Sequence, residues 1–387
     1  MKKVSILIPL QEYLNSYRGG AIARWIYHVY NGQTSDYQFD ILGRTLNNNH
    51  DFKNTDSLTI ISKSNHLLNA LTRLPIIRTI FKPFISSIYL KIYRKNILSS
   101  EILEIHNSIE YISKIRKLNF LGKIILHMHN DYLNKLSKES IYTLNSQINL
   151  LIFPSKALKN DFLSIHPEFT NPVEIVYNGY DPKKFFPQKE VMPKPNPIIG
   201  YVGRFDKNKN ILNLLDIYSA LLDRIPNLEF YLIGSGKSGG VENKYQRLVL
   251  KKIETMNRKN GKITYLGYVH NDQLREYYNL FDLLISLPVH TEAFGMTFVE
   301  ALACKTLSIG TNLGGIPEAV GCNELLVNNP KDHREVVDKI MKILSDETLY
   351  QSLVKKTFHY VSTNFQWEAI QTKQLKVLDQ LSKENQE

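Results

Sequence analysis

Short apolar runs recur along this 387-residue chain with longer helix-patterned stretches between them, and that alternation restricts the fold more than any other feature. VSILIPL, FDILGR, EILEIHN, KIILHMHN, LLIFPS and VEIVYNG follow one another in the first half. After the proline-rich PQKEVMPKPNP a second series begins with PIIGYVGRF and continues through LEFYLIGSG, KITYLGYV, DLLISLP and LSIGTN. Strands apolar on both faces and separated by helices suit a parallel sheet, because crossover helices cover it on both sides. The restart predicts two Rossmann-like, doubly wound α/β domains in tandem, 1–182 and 183–387, divided near 180–196. From about Asp332 onward the pattern is helical and polar, and the final helix is free to cross back to the first domain. Ligands of such sheets sit beyond the carboxyl ends of the strands, and two such domains facing each other leave a cleft between those ends. Residues that do chemistry are therefore expected just after strands.

The bulk composition, 43% hydrophobic and 22% charged, is that of a folded chain and excludes wholesale disorder. The opening MKKVSILIPLQEY reads as a first buried strand rather than a signal peptide, since its apolar run stops at Gln11 and Glu12 without a small-residue cleavage site. No apolar segment approaches the roughly 18 to 20 residues needed to cross a bilayer. Two cysteines, Cys304 and Cys322, are too few for a disulfide framework, and no His or Cys cluster has zinc-site spacing, so a cytoplasmic chain without a structural metal is expected. The net charge is +11, and the excess leans to the first half, where residues 1–182 carry 21 Lys and Arg against 14 Asp and Glu. Between Ser57 and Ser100 the bases Lys63, Arg73, Arg78, Lys82, Lys91, Arg94 and Lys95 occur with no acid at all. They alternate with Leu, Ile, Phe and Tyr in LPIIRTIFKPFISSIYLKIYRK, which suits a surface lying on anionic lipid; the plainer reading is two helices with an apolar face on the core and solvated bases outside. No recognisable nucleic-acid motif accompanies the charge, so no nucleic-acid partner is expected.

The stretch HTEAFGMTFVEALACKTLSIGTNLGGIPEAVG, from His290 to Gly321, carries two acids eight positions apart and then a Gly-Gly turn. Glu292 precedes the break at Gly295, whereas Glu300 lies inside helix-favouring FVEALA, so one acid belongs to a loop and the other to the following helix. Two carboxylates so placed are acceptors for hydroxyls at two ends of an elongated polar ligand, or else two solvated surface acids. After GYVG, the run RFDKNKN puts Arg204 at a strand end and Lys209 five residues later, a fork and a point charge that suit a diphosphate, although surface cations are common. RGGAIARW sets Gly19 and Gly20 before a helix, where backbone N–H groups can meet an anion or simply form a turn. GSGKSGG, after LEFYLIG, is equally a lining loop or a connection. ILHMHND brings His127, His129, Asn130 and Asp131 to a strand end, with the two histidines on one face. No Ser-His-Asp or Cys-His order with nucleophile-elbow surroundings is present, which argues against that class of hydrolase.

VYNGYD, VGRFDKNKN, the paired glutamates and NLGGIPE, in that order and over nearly the whole length, resemble the retaining glycosyltransferases of family four, which have the GT-B fold. RGGAIARWIYHV, EIHNSIEYISKIRK and ILHMHND are similar to bacterial enzymes of lipopolysaccharide core and surface-polysaccharide assembly, notably core N-acetylglucosaminyltransferases. The resemblance implies a GT-B architecture, two Rossmann-like doubly wound domains facing across a cleft, the second binding the donor. It implies transfer of a sugar from a nucleotide sugar, UDP-linked before GDP-linked, with retention and no metal or other cofactor, and the basic stretch 57–100 makes a lipid-borne saccharide at the cytoplasmic face of the inner membrane the expected acceptor. Carried onto this chain, Glu292 holds donor-sugar hydroxyls and Glu300 the ribose, with backbone N–H groups around Phe294, Gly295, Met296 and Thr297 adding contacts to sugar and phosphate. Arg204 and Lys209 neutralise the departing diphosphate, Gly19 and Gly20 approach the same phosphates, His129 meets the donor sugar, and Tyr268 and Val269 flank the base. Asn178 and Gly179 fall near the hinge. One departure is Lys305, where the family usually has glycine. Rival readings are a nucleotide-sugar epimerase or a phosphorylase, the latter without its cofactor-lysine signature here, and a non-catalytic, membrane-peripheral subunit that binds a nucleotide sugar.

Overall fold

The structure, a computed structural model, describes residues 1–14, 21–31, 36–45, 57–62, 82–188, 196–236 and 243–383. They form two compact units, Met1–Tyr177 with Ile370–Glu387, and Asn178–Ala369. The first unit is built on strands β1 (Lys2–Leu7), β2 (Tyr13–Leu14), β3 (Tyr37–Thr45), β4 (Leu58–Ser62), β5 (Ile102–His106), β6 (Lys123–His127), β7 (Leu150–Phe153) and β8 (Val173–Ile175). Their order is β2-β3-β1-β5-β6-β7-β8 with β4 also on β3, and every pairing is parallel, as in Val4 opposite Phe39 on one side and Ile102 on the other. Val4, Ile6, Leu7, Leu103, Ile105, Ile124, Ile125 and Leu126 are fully buried, which is why these runs are apolar at consecutive rather than alternate positions. Each such side chain contributes about 1.5 to 3 kcal/mol on burial. The C-terminal helix Trp367–Lys383 buries Ile370, Gln374, Val377, Leu378 and Leu381, and its Gln371 Nε2 donates to His28 O at 2.6 Å, so its body belongs to the first unit.

The second unit carries β9 (Ile198–Val202), β10 (Glu229–Ile233), β11 (Ile263–Gly267), β12 (Leu283–Ser286), β13 (Leu307–Thr311) and β14 (Leu326–Val327), all parallel, in the order β11-β10-β9-β12-β13-β14. This is the dinucleotide-fold order, with the sequence reversing direction between β9 and β12. A ligand site is therefore expected where those two strands end. In the first sheet the same reversal lies between β1 and β5.

The basic stretch 57–100 is not one kind of structure. Leu58–Ser62 is strand β4, paired with β3 from Phe39 to Gly43, which the basic-amphipathic reading of this stretch did not foresee. Lys63, Arg73 and Arg78 lie outside the described residues. Helices Lys82–Ile92 and Arg94–Leu98 follow, and they bury Ile85, Tyr89, Leu90, Tyr93 and Ile97. The hydroxyls of Tyr89 and Tyr93 donate to Ile8 O at 2.9 Å and Gly43 O at 2.6 Å. Lys91, Arg94 and Lys95 stay exposed, and so does Phe84, at 58%. No helix among the described residues is long and apolar enough to cross a membrane.

Lys305 occupies a left-handed position, φ 62°, after helix Met296–Ala303. Lys305 N donates to Leu302 O and Thr306 N to Ala301 O, both at 3.0 Å, the paired bonds of a Schellman closure whose left-handed residue is normally glycine. The lysine is retained against that preference with its Nζ 5.2 Å from the centre of the Phe358 ring. Relief of left-handed strain, about 1 kcal/mol or more, exceeds the loss of an exposed cation–π contact of about 0.5 kcal/mol. Lys305→Gly should therefore raise the thermal midpoint by about 1 to 3 °C in calorimetry, and a lowered midpoint would show that the aromatic contact governs this turn.

Candidate functional site

In the second unit the loops leaving β9 and β12 are joined at the strand-order reversal. Val289 N donates to Asn208 O at 2.9 Å, and the ammonium of Lys209 is paired with the carboxylate of Glu292. Their side chains are 17% and 26% exposed, so the pair is sheltered yet open to a ligand. Asp206 starts the short turn that presents Lys209 by accepting from Asn208 N at 3.0 Å, and Asn210 ends it in the left-handed region, which asparagine tolerates. Arg204 stands apart from this pair. Its guanidinium is 70% exposed, 3.8 Å from Asp206, while its backbone carbonyl accepts from the buried Tyr201 hydroxyl at 2.9 Å.

Glu292 lies in a loop and Glu300 in helix Met296–Ala303, the placement expected of them. Gly314 and Gly315 lie directly against that loop. A Cβ on Gly314 would stand 2.5 Å from Glu292 O, and one on Gly315 2.5 Å from Ala293 O, while Gly315 N donates to Glu292 O at 2.8 Å. The Gly-Gly turn thus exists to let two backbones touch and hold Glu292 in place. Phe294 is buried and packs edge-on to Phe365 at 5.1 Å, which leaves its backbone rather than its ring to serve a ligand. Gly295, Met296 and Thr297 are partly exposed at the start of the helix, whose first N–H groups have no helical acceptor. Glu300 is only 7% exposed, and its two oxygens accept from Asn271 Nδ2 at 3.3 Å and the Tyr278 hydroxyl at 3.0 Å. Burial and the neighbouring Glu300 charge push the Tyr278 phenol well above its ordinary range, so it remains a donor. Asn271 and Tyr278, absent from the sequence reading, carried no motif to mark them. Tyr268, 55% exposed, and the partly exposed Val269 follow β11.

In the first unit Gly19 and Gly20 lie outside the described residues. His127 ends β6 beside His106 at the end of β5, and His129 follows two residues on. The three rings stack: His127 and His129 are 4.6 Å apart at 3°, and His106 lies 4.9 and 5.2 Å from them at 21° and 22°. Trp25 of helix Ala21–Tyr30 packs edge-on to His127 at 4.4 Å. One nitrogen from each ring falls within 4.8 Å of the others, the composition of a three-histidine metal site. His106 Nδ1 and His129 Nε2, however, face each other at 2.9 Å, a hydrogen-bonding separation that leaves no place for an ion between them. The array leads inward to Glu104, a fully buried acid. Burial would raise its pKa, but hydrogen bonds from His106 and His127 outweigh that and hold the carboxylate far below its usual range. An acid inside the apolar run EILEIHN was the signal that could have found it.

Two parallel α/β units, the second with a charged pair at its strand-order reversal, define a GT-B glycosyltransferase fold. Residues 182–359 match the family described as glycosyl transferases group 1, and the second unit carries that domain. The chain is 26% identical over 280 residues, 70% of each chain, to the lipopolysaccharide 1,2-N-acetylglucosaminetransferase of Salmonella typhimurium. Among solved structures it superposes on sucrose-phosphate synthase from Thermosynechococcus elongatus with TM-score 0.74 at 18% identity, covering 98% of this chain and 99% of that one. It also matches HepE from Anabaena, solved in complex with UDP and glucose, with TM-score 0.68 at 16% identity, covering 98% and 100%.

Proposed function

We propose that this chain is a retaining, metal-independent glycosyltransferase of family four that moves a sugar, N-acetylglucosamine or a hexose, from a UDP-sugar to a lipid-borne saccharide in lipopolysaccharide core or surface-polysaccharide assembly. The observation that carries the reading is the Lys209–Glu292 pair at the β9/β12 reversal of a group 1 glycosyltransferase domain. Without ligand, each charge satisfies the other. A donor bringing hydroxyls to Glu292 and phosphates to Lys209 exchanges that one pair for two ligand contacts. Arg204, on a flexible exposed side chain, adds a planar fork for the same diphosphate. Glu300, held by Asn271 and Tyr278, presents a fixed carboxylate for the ribose hydroxyls, and His129 meets a hydroxyl of the sugar. UDP is suggested by the HepE complex, and N-acetylglucosamine by the name of the Salmonella relative.

In the reaction the acceptor oxygen forms a bond to the anomeric carbon as the bond from that carbon to the diphosphate oxygen breaks. The acceptor proton passes to a phosphate oxygen on the same face, which preserves configuration. Lys209 and Arg204 stabilise the negative charge that grows on the diphosphate, the part a metal ion plays in other transferases. The test is turnover of UDP-N-acetylglucosamine and UDP-glucose with lipid-linked saccharides: release of UDP and an α-linked product from an α-linked donor support the reading. Binding without UDP release would make the chain a non-catalytic subunit, and a glycosyl adduct trapped on Glu292 would replace front-face attack with a covalent route.

A lipid-borne acceptor places the enzyme at the cytoplasmic face of the inner membrane. Lys91, Arg94 and Lys95, exposed on the same helical stretch as the exposed Phe84, are described residues suited to anionic headgroups. At about 1 kcal/mol per base, replacing all three with alanine should weaken binding to anionic liposomes by roughly a hundredfold in sedimentation assays. Unchanged binding would leave these helices a purely structural role.

A further inference from the structure

We infer that Glu104 and His106 position His129 in one neutral tautomer, with the proton on Nε2 and Nδ1 left bare to accept a hydrogen bond from a ligand hydroxyl. The inference deepens the proposed transferase function, which gives His129 a sugar hydroxyl to meet, but its structural basis is independent of that function. Glu104 is fully buried in β5, and its Oε2 takes the Tyr30 hydroxyl and Gln374 Nε2, the latter at 2.9 Å. Gln374 Nε2 also lies 2.9 Å from the Tyr30 oxygen, which it supplies with a donor, so the phenol proton is free for Glu104. On the other oxygen, His127 Nδ1 lies at 3.1 Å and His106 Nε2 at 3.0 Å. Three hydrogen-bond donors, Tyr30, Gln374 and His127, together with the close His106 Nε2 edge, hold the carboxylate ionised and leave no room for a proton on it.

That fixed charge dictates the rest of the chain. His106 Nε2 lies 3.0 Å from that oxygen, off the hydrogen-bonding direction, and the carboxylate's negative charge favours an N–H over a lone pair there, so His106 carries its proton on Nε2. Its Nδ1 is then an acceptor. His129 Nε2, 2.9 Å from His106 Nδ1, has to donate, and the proton of a neutral His129 is thereby assigned to Nε2. Turning the ring over would put Cε1 in place of Nε2 and lose the hydrogen bond to His106, while the backbone at His129 is tied to Asn107 Oδ1 at 2.7 Å. Asn107 takes the left-handed conformation, φ 48°, as the chain turns out of β5. His106 and His127 are fully buried, whereas His129 is partly exposed, so the surface receives the end of the relay. The neutral state is consistent with burial, which pushes His127 down to about 4 and, together with its histidine neighbours, holds His129 well below the ordinary imidazole range.

Glu104 and His106 act through His129 and are positioning residues. The decisive experiment is 15N-edited NMR of the histidine-labelled full chain at pH 8 without ligand, correlating ring nitrogens with ring carbon-bound protons and assigning His129 with His129→Gln. A single His129 tautomer with Nε2 protonated is expected. Protonation of Nδ1, or the mixture of a free imidazole, would overturn the proposal. Glu104→Gln should convert His129 to a mixture and lower kcat with a UDP-sugar by about tenfold, while the affinity for UDP, which lacks the transferred sugar, stays unchanged. A pure Nε2–H tautomer retained in Glu104→Gln would also overturn it. Because the wild-type spectrum needs neither a variant nor turnover, it stands even if Glu104→Gln fails to fold. The predicted tautomer in a protein that releases no UDP would overturn the transferase reading and leave the relay intact.

Discussion

Lys209→Ala should lower kcat/KM for the UDP-sugar by about a hundred- to a thousandfold, the cost of removing one preorganised group that faces growing charge. Two effects add. The ammonium no longer stabilises the diphosphate as its bond to the sugar breaks, and Glu292 loses the partner that holds it. Since charge on the leaving group is greatest in the transition state, kcat should fall more than donor affinity. Lys209→Arg restores the charge but not the compact geometry and should recover part of the loss. Steady-state UDP release measures all of these. A change within threefold for Lys209→Ala would remove Lys209 from the chemistry.

Gly234→Ala should destabilise the second unit by about 4 kcal/mol, in the range reserved for steric conflict at a special backbone conformation. Gly234 has φ 137°, and a Cβ there would lie 1.8 Å from Gly203 O. The neighbour is main chain, pinned by Gly203 N to Ile233 O at 3.0 Å and by Phe205 N to Ser235 O at 2.8 Å, and so unable to move aside. Gly234 N itself donates to Gly267 O at 2.7 Å, tying the ends of β10 and β11. The same bonds flank Arg204, so the variant should also weaken diphosphate binding. At about 2 to 4 °C per kcal/mol, the thermal midpoint should fall by about 10 °C. A loss below 1 kcal/mol in urea unfolding would mean that the strand ends are far looser than their contacts indicate.

β2 and β14, two residues each, were too short to read, but the longer strands of both sheets were legible because a parallel strand buried on both faces leaves an uninterrupted apolar run, as in LLIF and LLIS. β4 was not, because its SLTIIS is short, half-polar and adjoins a basic stretch that drew attention to charge instead. The division between Glu292 in a loop and Glu300 on a helix followed from Gly295 and the composition of FVEALA. What the sequence hid was partnership. Nothing in one dimension pairs Lys209 with Glu292 across 83 residues, or Gln374 with Glu104 across 270. Nor does it show that Glu300 is buried with a tyrosine and an asparagine, since those partners come from elements that approach only in the fold. The Gly-Gly of NLGGIPE, ambiguous as a turn signal, acquires its reason only from the backbone it touches.

The most direct measurement is calorimetric titration of the purified protein with UDP, GDP, ADP and CMP without metal, repeated with Arg204→Ala and Glu300→Ala. Selective binding of UDP is expected, weakened strongly in both variants, with the thermal unfolding of each variant recorded to show that it remains folded. Binding of no nucleotide, or equal binding by wild type and both folded variants, would contradict the assignment of the donor site to these residues.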